Sequence, residues 1–236
     1  MKILACDTST LMGSVAVSDG SRVLASRATM RSGSHTDTIN GMITDCLHAA
    51  GLRLKDVDIF CSGLGPGSFT GIRISLNTVK TFAYIHQKPA GGLDSLFMMA
   101  DQAKQKFEFI TPMINAFKNM VYIAEYQSVS NQLVVVKPPQ VVRVQDLKYF
   151  LNPQSLVLGD GYTTYEAYFK ANIPFELIRS AECTDFPHAD TLCHFFGQKP
   201  QSDLSDQKYH WSNLIPIYLR ASEAEENLSG IKFIPL

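Results

Sequence analysis

Val57-Asp58-Ile59-Phe60-Cys61-Ser62-Gly63-Leu64-Gly65-Pro66-Gly67-Ser68-Phe69-Thr70-Gly71-Ile72-Arg73 is the stretch around which the rest of the chain can be ordered. Residues 57–62 form an apolar run with the length of a buried strand. Residues 63–71 make a glycine-rich loop, and from residue 72 to 86 the apolar positions Ile72, Leu76, Val79 and Ala83 share one helical stripe that Pro89 stops. Strand, glycine loop and helix in that order set backbone amides at a helix N-terminus, where an anion is favoured. No Gly-Lys-Ser/Thr closes the loop, so it is not a P-loop, and Gly65, Gly67 and Gly71 are one residue too widely spaced for the dinucleotide fingerprint. The same glycines, with Ser68 or Thr70 as helix cap, equally serve tight backbone packing, and both readings stand at this point.

Toward the N-terminus, three short strand patterns (residues 3–6, 14–17 and 23–29) are spaced closely enough for an antiparallel meander. Ile39, Met42, Ile43, Cys46, Leu47 and Ala50 then follow the three-and-four spacing of one helix face, with Ser34 or Thr36 as N-cap and Gly51 just past the end. The order strand, strand, strand, helix, strand, helix matches the half-unit of the ribonuclease-H-like and actin-like (ASKHA) folds. It predicts an α/β protein with two lobes of mixed sheet plus helices. A helix near 95–104 and strands at 109–115, 120–126, 133–136, 156–159 and 175–178 begin a second half. The expected division is an N-terminal actin-like lobe over 1–104, a smaller C-terminal lobe over 105–221, and a tail over 222–236. In that tail Glu223, Glu225 and Glu226 precede an apolar end that either frays or docks on a neighbour.

Of the 236 residues, 45% are hydrophobic and 18% charged, enough apolar material for a full core. The formal charge is −1, and the 21 Lys and Arg are scattered, without the basic stripe of a protein that grips phosphates unaided. The five cysteines, Cys6, Cys46, Cys61, Cys183 and Cys193, are odd in number and lie mostly in apolar runs, which reads as buried, reduced thiols. A reducing, cytoplasmic setting follows, and neither a leader after Met1 nor an apolar run of membrane-spanning length argues against it.

Asp7-Thr8-Ser9-Thr10 sits at the carboxyl end of the first strand. Its carboxylate and three hydroxyls suit a hydrated magnesium ion or phosphate oxygens, and they suit an Asx or Ser/Thr turn just as well. Paired metal-binding histidines one helical turn apart are missing, because His35 is followed at that spacing by Ile39; Asp37 is its nearest acidic companion. Cys183, His188, Cys193 and His194 lack metal-ligand spacing, and adjacent Cys193 and His194 fall on different helix faces. No glycine-flanked serine elbow supports a hydrolase, and His48, His86 and His210 have no evident partners.

The run from Gly65 to Arg73 resembles the signature of the TsaB/YeaZ proteins. Asp7-Thr8-Ser9-Thr10 with Ser14-Val15-Ala16-Val17 resembles that family's opening strands, and Ser34-His35 its entry to the first helix. Gly159-Asp160-Gly161 and Pro216-Ile217-Tyr218-Leu219-Arg220 resemble its later landmarks, so the similarity is strong over residues 1–100 and thinner afterwards. Asn115-Ala116-Phe117-Lys118-Asn119-Met120 departs from the Asp-Ala-Arg-Arg-like stretch common there.

The resemblance implies an actin-like two-lobed fold and a non-catalytic scaffold or activator of the complex that threonylcarbamoylates adenosine in tRNAs reading codons that begin with A. It would bind a TsaD-type catalytic subunit, with a TsaE-type ATPase associated, meet tRNA only through the complex, and carry no cofactor of its own, ATP and a metal ion serving the partner subunits. Nucleotide or anion contacts, if any, would come from Asp7, Thr8, Ser9, Thr10, Gly65, Gly67, Ser68, Thr70, Gly71 and Arg73. Ile39, Met42, Ile43 and Cys46 on the first N-terminal helix and Ile74, Phe82 and Tyr84 on the second, with Ala49, carry more apolar surface than one stripe, which reads either as a partner face for TsaD or for a second copy in a homodimer, or as intramolecular core on both helices. The rival reading is an actin-like ATPase or small-molecule kinase using Asp7 and the glycine loop, with magnesium-dependent ATP turnover lost in Asp7→Ala.

Overall fold

The computed structural model describes residues 1–30 and 35–221, the side chains of 35–37 excepted. The Ser34 and Thr36 caps, the His35 and Asp37 pairing and the acidic tail therefore lie outside the described residues.

β1 (Lys2–Asp7), β2 (Met12–Asp19) and β3 (Arg22–Met30) form the expected antiparallel meander. α1 (His35–Ala49) follows, and its end is closed by Gly51 at φ 65°, with Leu52 N–H donating to the Leu47 carbonyl and Gly51 N–H to that of His48. That is a Schellman closure, which the glycine makes possible. β4 (Ile59–Gly63) pairs parallel with β1, and α2 (Phe69–His86) returns along the sheet. α2 starts three residues earlier than its apolar stripe suggests, because Ser68 Oγ accepts from Gly71 N–H and caps it.

A fifth strand absent from the sequence reading, β5 (Ala90–Leu93), pairs parallel with β4 and completes a sheet of order β3-β2-β1-β4-β5. This is the order and direction of the ribonuclease-H-like half-unit. Both faces of the sheet are covered, which explains why its strands read as continuous apolar runs. Leu4, Cys6, Val15, Val17 and Phe60 face α1 and α2. Ile3, Ala5, Ala16, Ile59 and Cys61 face a helix from far along the chain, α5 (Ala189–Gly197), through Ala189, Leu192, Cys193 and Phe196.

The chain accordingly divides into one unit of Met1–Met98 with Pro187–Ile217 and another of Met99–Phe186 with the residues from Tyr218 onward. A single cut near residue 105 would have left Pro187–Ile217 in the second lobe. The apolar stripe of α5 instead covers the open face of the first sheet. α3 (Ser95–Asp101) spans the division.

In the second unit, β6 (Phe109–Asn115), β7 (Met120–Val129), β8 (Gln132–Arg143) and β9 (Ser155–Leu158) form a sheet of order β8-β7-β6-β9, and α4 (Asp160–Asn172) packs on it through Tyr162 and Phe169. Residues 175–178 form no strand. Only Ile178 bridges to Leu156, so that expectation is corrected: Pro174 withholds an N–H at the segment's start, and Arg179 donates to the Val157 carbonyl at its end. Buried Glu125 is paired with Lys137 Nζ at 2.8 Å and accepts from Asn152 at 2.9 Å. The turn between β6 and β7 holds Phe117, Lys118 and Asn119 at φ 58°, 51° and 57°, three consecutive left-handed non-glycine residues. Asn115 Oδ1 accepts from Phe117 N–H there, Val144 N–H donates to the Asn119 carbonyl, and Arg220 donates to the Ala116 carbonyl. These bonds hold a conformation that is otherwise costly for Phe and Lys.

Candidate functional site

The two stretches singled out in the sequence meet in the first unit, and they meet face to face. β1 ends at Asp7, and the chain turns through Thr8 and Ser9 directly beneath the glycine loop between β4 and α2. Ser68 N–H donates to the Ser9 carbonyl at 2.7 Å; Thr8 Oγ1 donates to the Gly71 carbonyl at 2.6 Å and accepts from Ser75 N–H at 3.2 Å. Ser9 Oγ is bonded by Ser95 Oγ at 3.0 Å, and Ser95 N–H donates to the Gly65 carbonyl at 2.7 Å, so the start of α3 closes the arrangement from the third side.

The glycines are what allow this approach. A Cβ on Gly67 would lie 2.1 Å from the Ser9 carbonyl oxygen, one on Gly71 would lie 1.9 Å from that of Thr8, and one on Gly63 would lie 1.7 Å from Asp7 Oδ2. Gly65, at φ 90°, makes the tight turn and is joined to Pro66 by a cis peptide bond. Tight packing with Ser68 as cap is present in the geometry. The amides of Ser68 and Gly71 are both used within the chain. Among the other candidates, Thr70 and Arg73 are exposed on α2, while Asp7, Thr8, Ser9 and Thr10 are buried.

Asp7 is fully buried. Its Oδ1 accepts from Ser9 N–H at 3.1 Å and Ser9 Oγ at 2.9 Å, which is the Asx-turn reading, and its Oδ2 has no hydrogen-bond partner among the described residues. Burial pushes the carboxyl up to about 6, against the opposing pull of the Ser9 hydrogen bonds and of His188. His188 caps α5, where Ala189 N–H donates to Ser14 Oγ. Cys193 is buried in the core and His194 is exposed on the opposite side of α5. No group of three or more His, Cys, Asp or Glu could hold a metal ion among the described residues. Burial raises the Cys6, Cys46, Cys61 and Cys193 thiols, the last to about 12, so they stay protonated and packed.

The partner-face residues separate into two groups. Ile39, Met42, Ile43 and Cys46 are buried in the first unit's own core against β2 and α2, so their place on a partner face is corrected: the sheet covers this stripe of α1, while Ala49 stays exposed. Ile74 and Phe82 are half-buried against the same core, and Phe82 rests on the Phe60 ring. Tyr84 stays open, 64% exposed, and the neighbouring Ile85, which the sequence reading passed over, is equally exposed. The Tyr84 ring meets Trp211 edge-on at 5.3 Å, and Lys80 lies over the Trp211 ring while donating to the Leu214 carbonyl. Lys80, Thr81, Tyr84, Ile85 and Trp211 line a shallow depression of about 360 Å³. Trp211 is the only tryptophan, yet it lies outside any periodic helix, in a short 3-10 turn, and nothing in the sequence ties it to α2.

A sequence model described as TsaD, tRNA N6-adenosine threonylcarbamoyltransferase, matches residues 28–228. The chain is 34% identical over 244 residues to the tRNA threonylcarbamoyladenosine biosynthesis protein TsaB of Escherichia coli (strain K12), covering 98% of this chain and 99% of that protein. To the TsaB of Bacillus subtilis (strain 168) it is 26% identical, over 95% of this chain and 96% of that protein. The solved structure of YeaZ from Pseudomonas aeruginosa superposes with a TM-score of 0.75 at 25% identity, covering 92% of this chain and 99% of that one.

Proposed function

We propose, from the premise that this chain belongs to the TsaB/YeaZ family of tRNA threonylcarbamoyladenosine biosynthesis proteins, that within this pathway it is a non-catalytic subunit acting by binding a TsaD-type catalytic partner in the cytoplasm. One observation carries the reading: the turn that follows the strand-end carboxylate and the glycine loop are hydrogen-bonded to each other. In an enzyme of this fold that pair would face substrate. Here Thr8, Ser9, Ser68 and Gly71 close on one another, and Asp7 is sealed beneath them. They act as a clasp that fixes β1 to the start of α2. The clasp orients α2 and the outward face it presents, so the signature motif serves shape rather than turnover.

That outward face supplies the contact. α2 presents Arg73, Asn77, Thr81, Tyr84 and Ile85 to solvent, and α1 presents Asn40, Thr44, Asp45 and His48. Polar residues surrounding an aromatic anchor are the composition of a regulated interface, in which Tyr and Trp supply most of the binding energy. A TsaE-type ATPase joins the same assembly, tRNA is met only through it, and ATP and metal chemistry belong to the partner subunits. The same face serves a homodimer when the catalytic partner is absent.

Tyr84→Asp tests this reading. Because Tyr84 is largely exposed, the variant is expected to keep the parent's melting temperature within about 2 °C, while a charge at an interface anchor costs at least about 2 kcal/mol of binding, a loss of about 30-fold. Titration of a TsaD-type subunit with parent and variant, followed by calorimetry, reads both quantities. Unchanged affinity would remove the anchor role from this end of α2.

A further inference from the structure

A cavity of about 1070 Å³ in the second unit has no part in the clasp or in the α2 face. It is lined by α4 and by the segment from Ile173 to Arg179, which returns beside β9, where Val157 N–H donates to the Ile178 carbonyl. Phe169, Ile173 and Leu177 supply apolar wall, and Glu166, Lys170 and Arg179 bring charge to it.

Arg179 is held in place from three directions. Its Nη1 and Nη2 donate to the two Asp185 carboxylate oxygens at 2.8 and 2.6 Å, and Nη1 also donates to the Val157 carbonyl at 2.7 Å. The guanidinium lies over the Tyr162 ring at 4.5 Å, and Tyr162 stacks in turn on Phe169. Of the five N–H donors of an arginine, these bonds use three. Nε–H and the inner Nη2 hydrogen remain, with no acceptor among the described residues. They run parallel along one edge of the plane, the arrangement that a carboxylate accepts bidentately. A side-chain exposure of 27% leaves the group open to a ligand in the cavity it lines.

Glu166 narrows the kind of carboxylate. It lines the same cavity and is ion-paired with Lys170 at 2.9 Å. The Lys170 hydrogen bond holds its carboxyl below the usual range, and the Arg179 charge adds to the effect, although Glu166 and Arg179 form no ion pair among the described residues. A plain anion seated on Arg179 would therefore face a second carboxylate nearby. An anion that carries its own cation meets opposite charge at both ends. We propose that this cavity binds an α-amino acid with an apolar side chain: the carboxylate on the open edge of Arg179, the ammonium on Glu166, and the side chain against Phe169, Ile173 and Leu177. An arginine already fixed by Asp185 and Tyr162 needs little ordering when the ligand arrives, which favours so small a molecule. The site lies wholly in the second unit, so the proposal stands whether or not the first unit binds a catalytic partner.

Calorimetric titration of the full chain tests this with three probes: L-leucine, N-acetyl-L-leucine, which lacks the ammonium, and L-leucinamide, which lacks the carboxylate. L-Leucine is expected to bind with a dissociation constant of about 1 mM or below, and each analogue at least about tenfold more weakly. Arg179→Lys keeps the charge and loses the fork, whereas Glu166→Gln keeps the shape and loses the charge; each is expected to weaken L-leucine at least about tenfold. If Arg179→Lys misfolds through loss of the Asp185 pair, Glu166→Gln still decides, because its side chain is 44% exposed and supports no core contact. Absence of saturable binding of L-leucine overturns the inference. N-acetyl-L-leucine binding as tightly as L-leucine, the behaviour of a site for a peptide C-terminus or a simple anion, overturns it too, as does L-leucine affinity unchanged in Glu166→Gln.

Discussion

Gly71→Ala is expected to destabilise the first unit by more than about 4 kcal/mol, enough to leave little folded protein at physiological temperature. The cost is steric rather than conformational. A methyl at this position would sit 1.9 Å from the Thr8 carbonyl oxygen and 3.0 Å from its carbon, both backbone atoms, so no side-chain rotation relieves it. Relief requires parting the turn after β1 from α2. That breaks the Thr8 to Gly71 hydrogen bond at 2.6 Å and opens the clasp on which the orientation of α2 depends. Gly67→Ala, facing the Ser9 carbonyl oxygen at 2.1 Å, behaves alike. Gly41 in α1 is the control: an added methyl meets nothing within 4 Å, and Gly41→Ala gains about 0.5–1 kcal/mol of helix propensity. Chemical denaturation of the three variants checks the series, and a Gly71→Ala protein within about 1 kcal/mol of the parent would show that the clasp is loose.

The second large effect is a pH dependence centred on Asp7. Burial holds its carboxyl up to about 6, whereas in the unfolded chain it returns to about 3.8. Between those values the folded state keeps a proton that the unfolded state has released, so stability falls as pH rises from about 4 to about 6 and stays lowered above that. A difference of roughly two pH units corresponds to about 3 kcal/mol. Asp7→Asn keeps an acceptor for Ser9 and removes the charge. Its amide hydrogens replace the unpartnered Oδ2 and offset part of the gain. The variant is expected to be more stable than the parent by about 2 kcal/mol at pH 7.5 and no more stable at pH 3.5. Asp94 and Asp160 are raised to about 6 in the same way, so the parent-minus-variant difference, and not the parent's slope, isolates Asp7. A difference independent of pH would mean that Asp7 is not buried as a carboxylic acid.

The clasp was half legible in the sequence. Asp7-Thr8-Ser9-Thr10 and the loop from Gly63 to Gly71 stood out by residue type, and each admitted a structural reading, but nothing in a linear chain shows that the two occupy each other. The meander, α1, β4 and α2 were legible because apolar period and turn residues agree there. β5 was not: Ala90-Gly91-Gly92-Leu93 reads as a loop. Its glycines are required by distant residues, since a Cβ on Gly91 would lie 2.5 Å from the Phe196 ring and one on Gly92 2.5 Å from Leu64. α5 was missed as part of the first unit for the same reason, its partner strands lying more than 120 residues earlier.

The partner face shows the opposite error. Period alone marks Ile39, Met42, Ile43 and Cys46 as apolar without saying which neighbour covers them, and the covering neighbour is the chain's own sheet. What is left outside is Tyr84 and Ile85, joined by Trp211, which the sequence keeps more than 120 residues away.

The most direct test of the account is threonylcarbamoyl transfer to an unmodified tRNA by matching TsaC-type, TsaD-type and TsaE-type proteins, with this chain present or omitted. Transfer is expected to require the chain, the chain alone is expected to transfer nothing, and Asp7→Asn, if folded, is expected to support transfer as well as the parent does. Undiminished transfer without the chain, or loss of transfer in a folded Asp7→Asn protein that still binds the catalytic subunit, would contradict it.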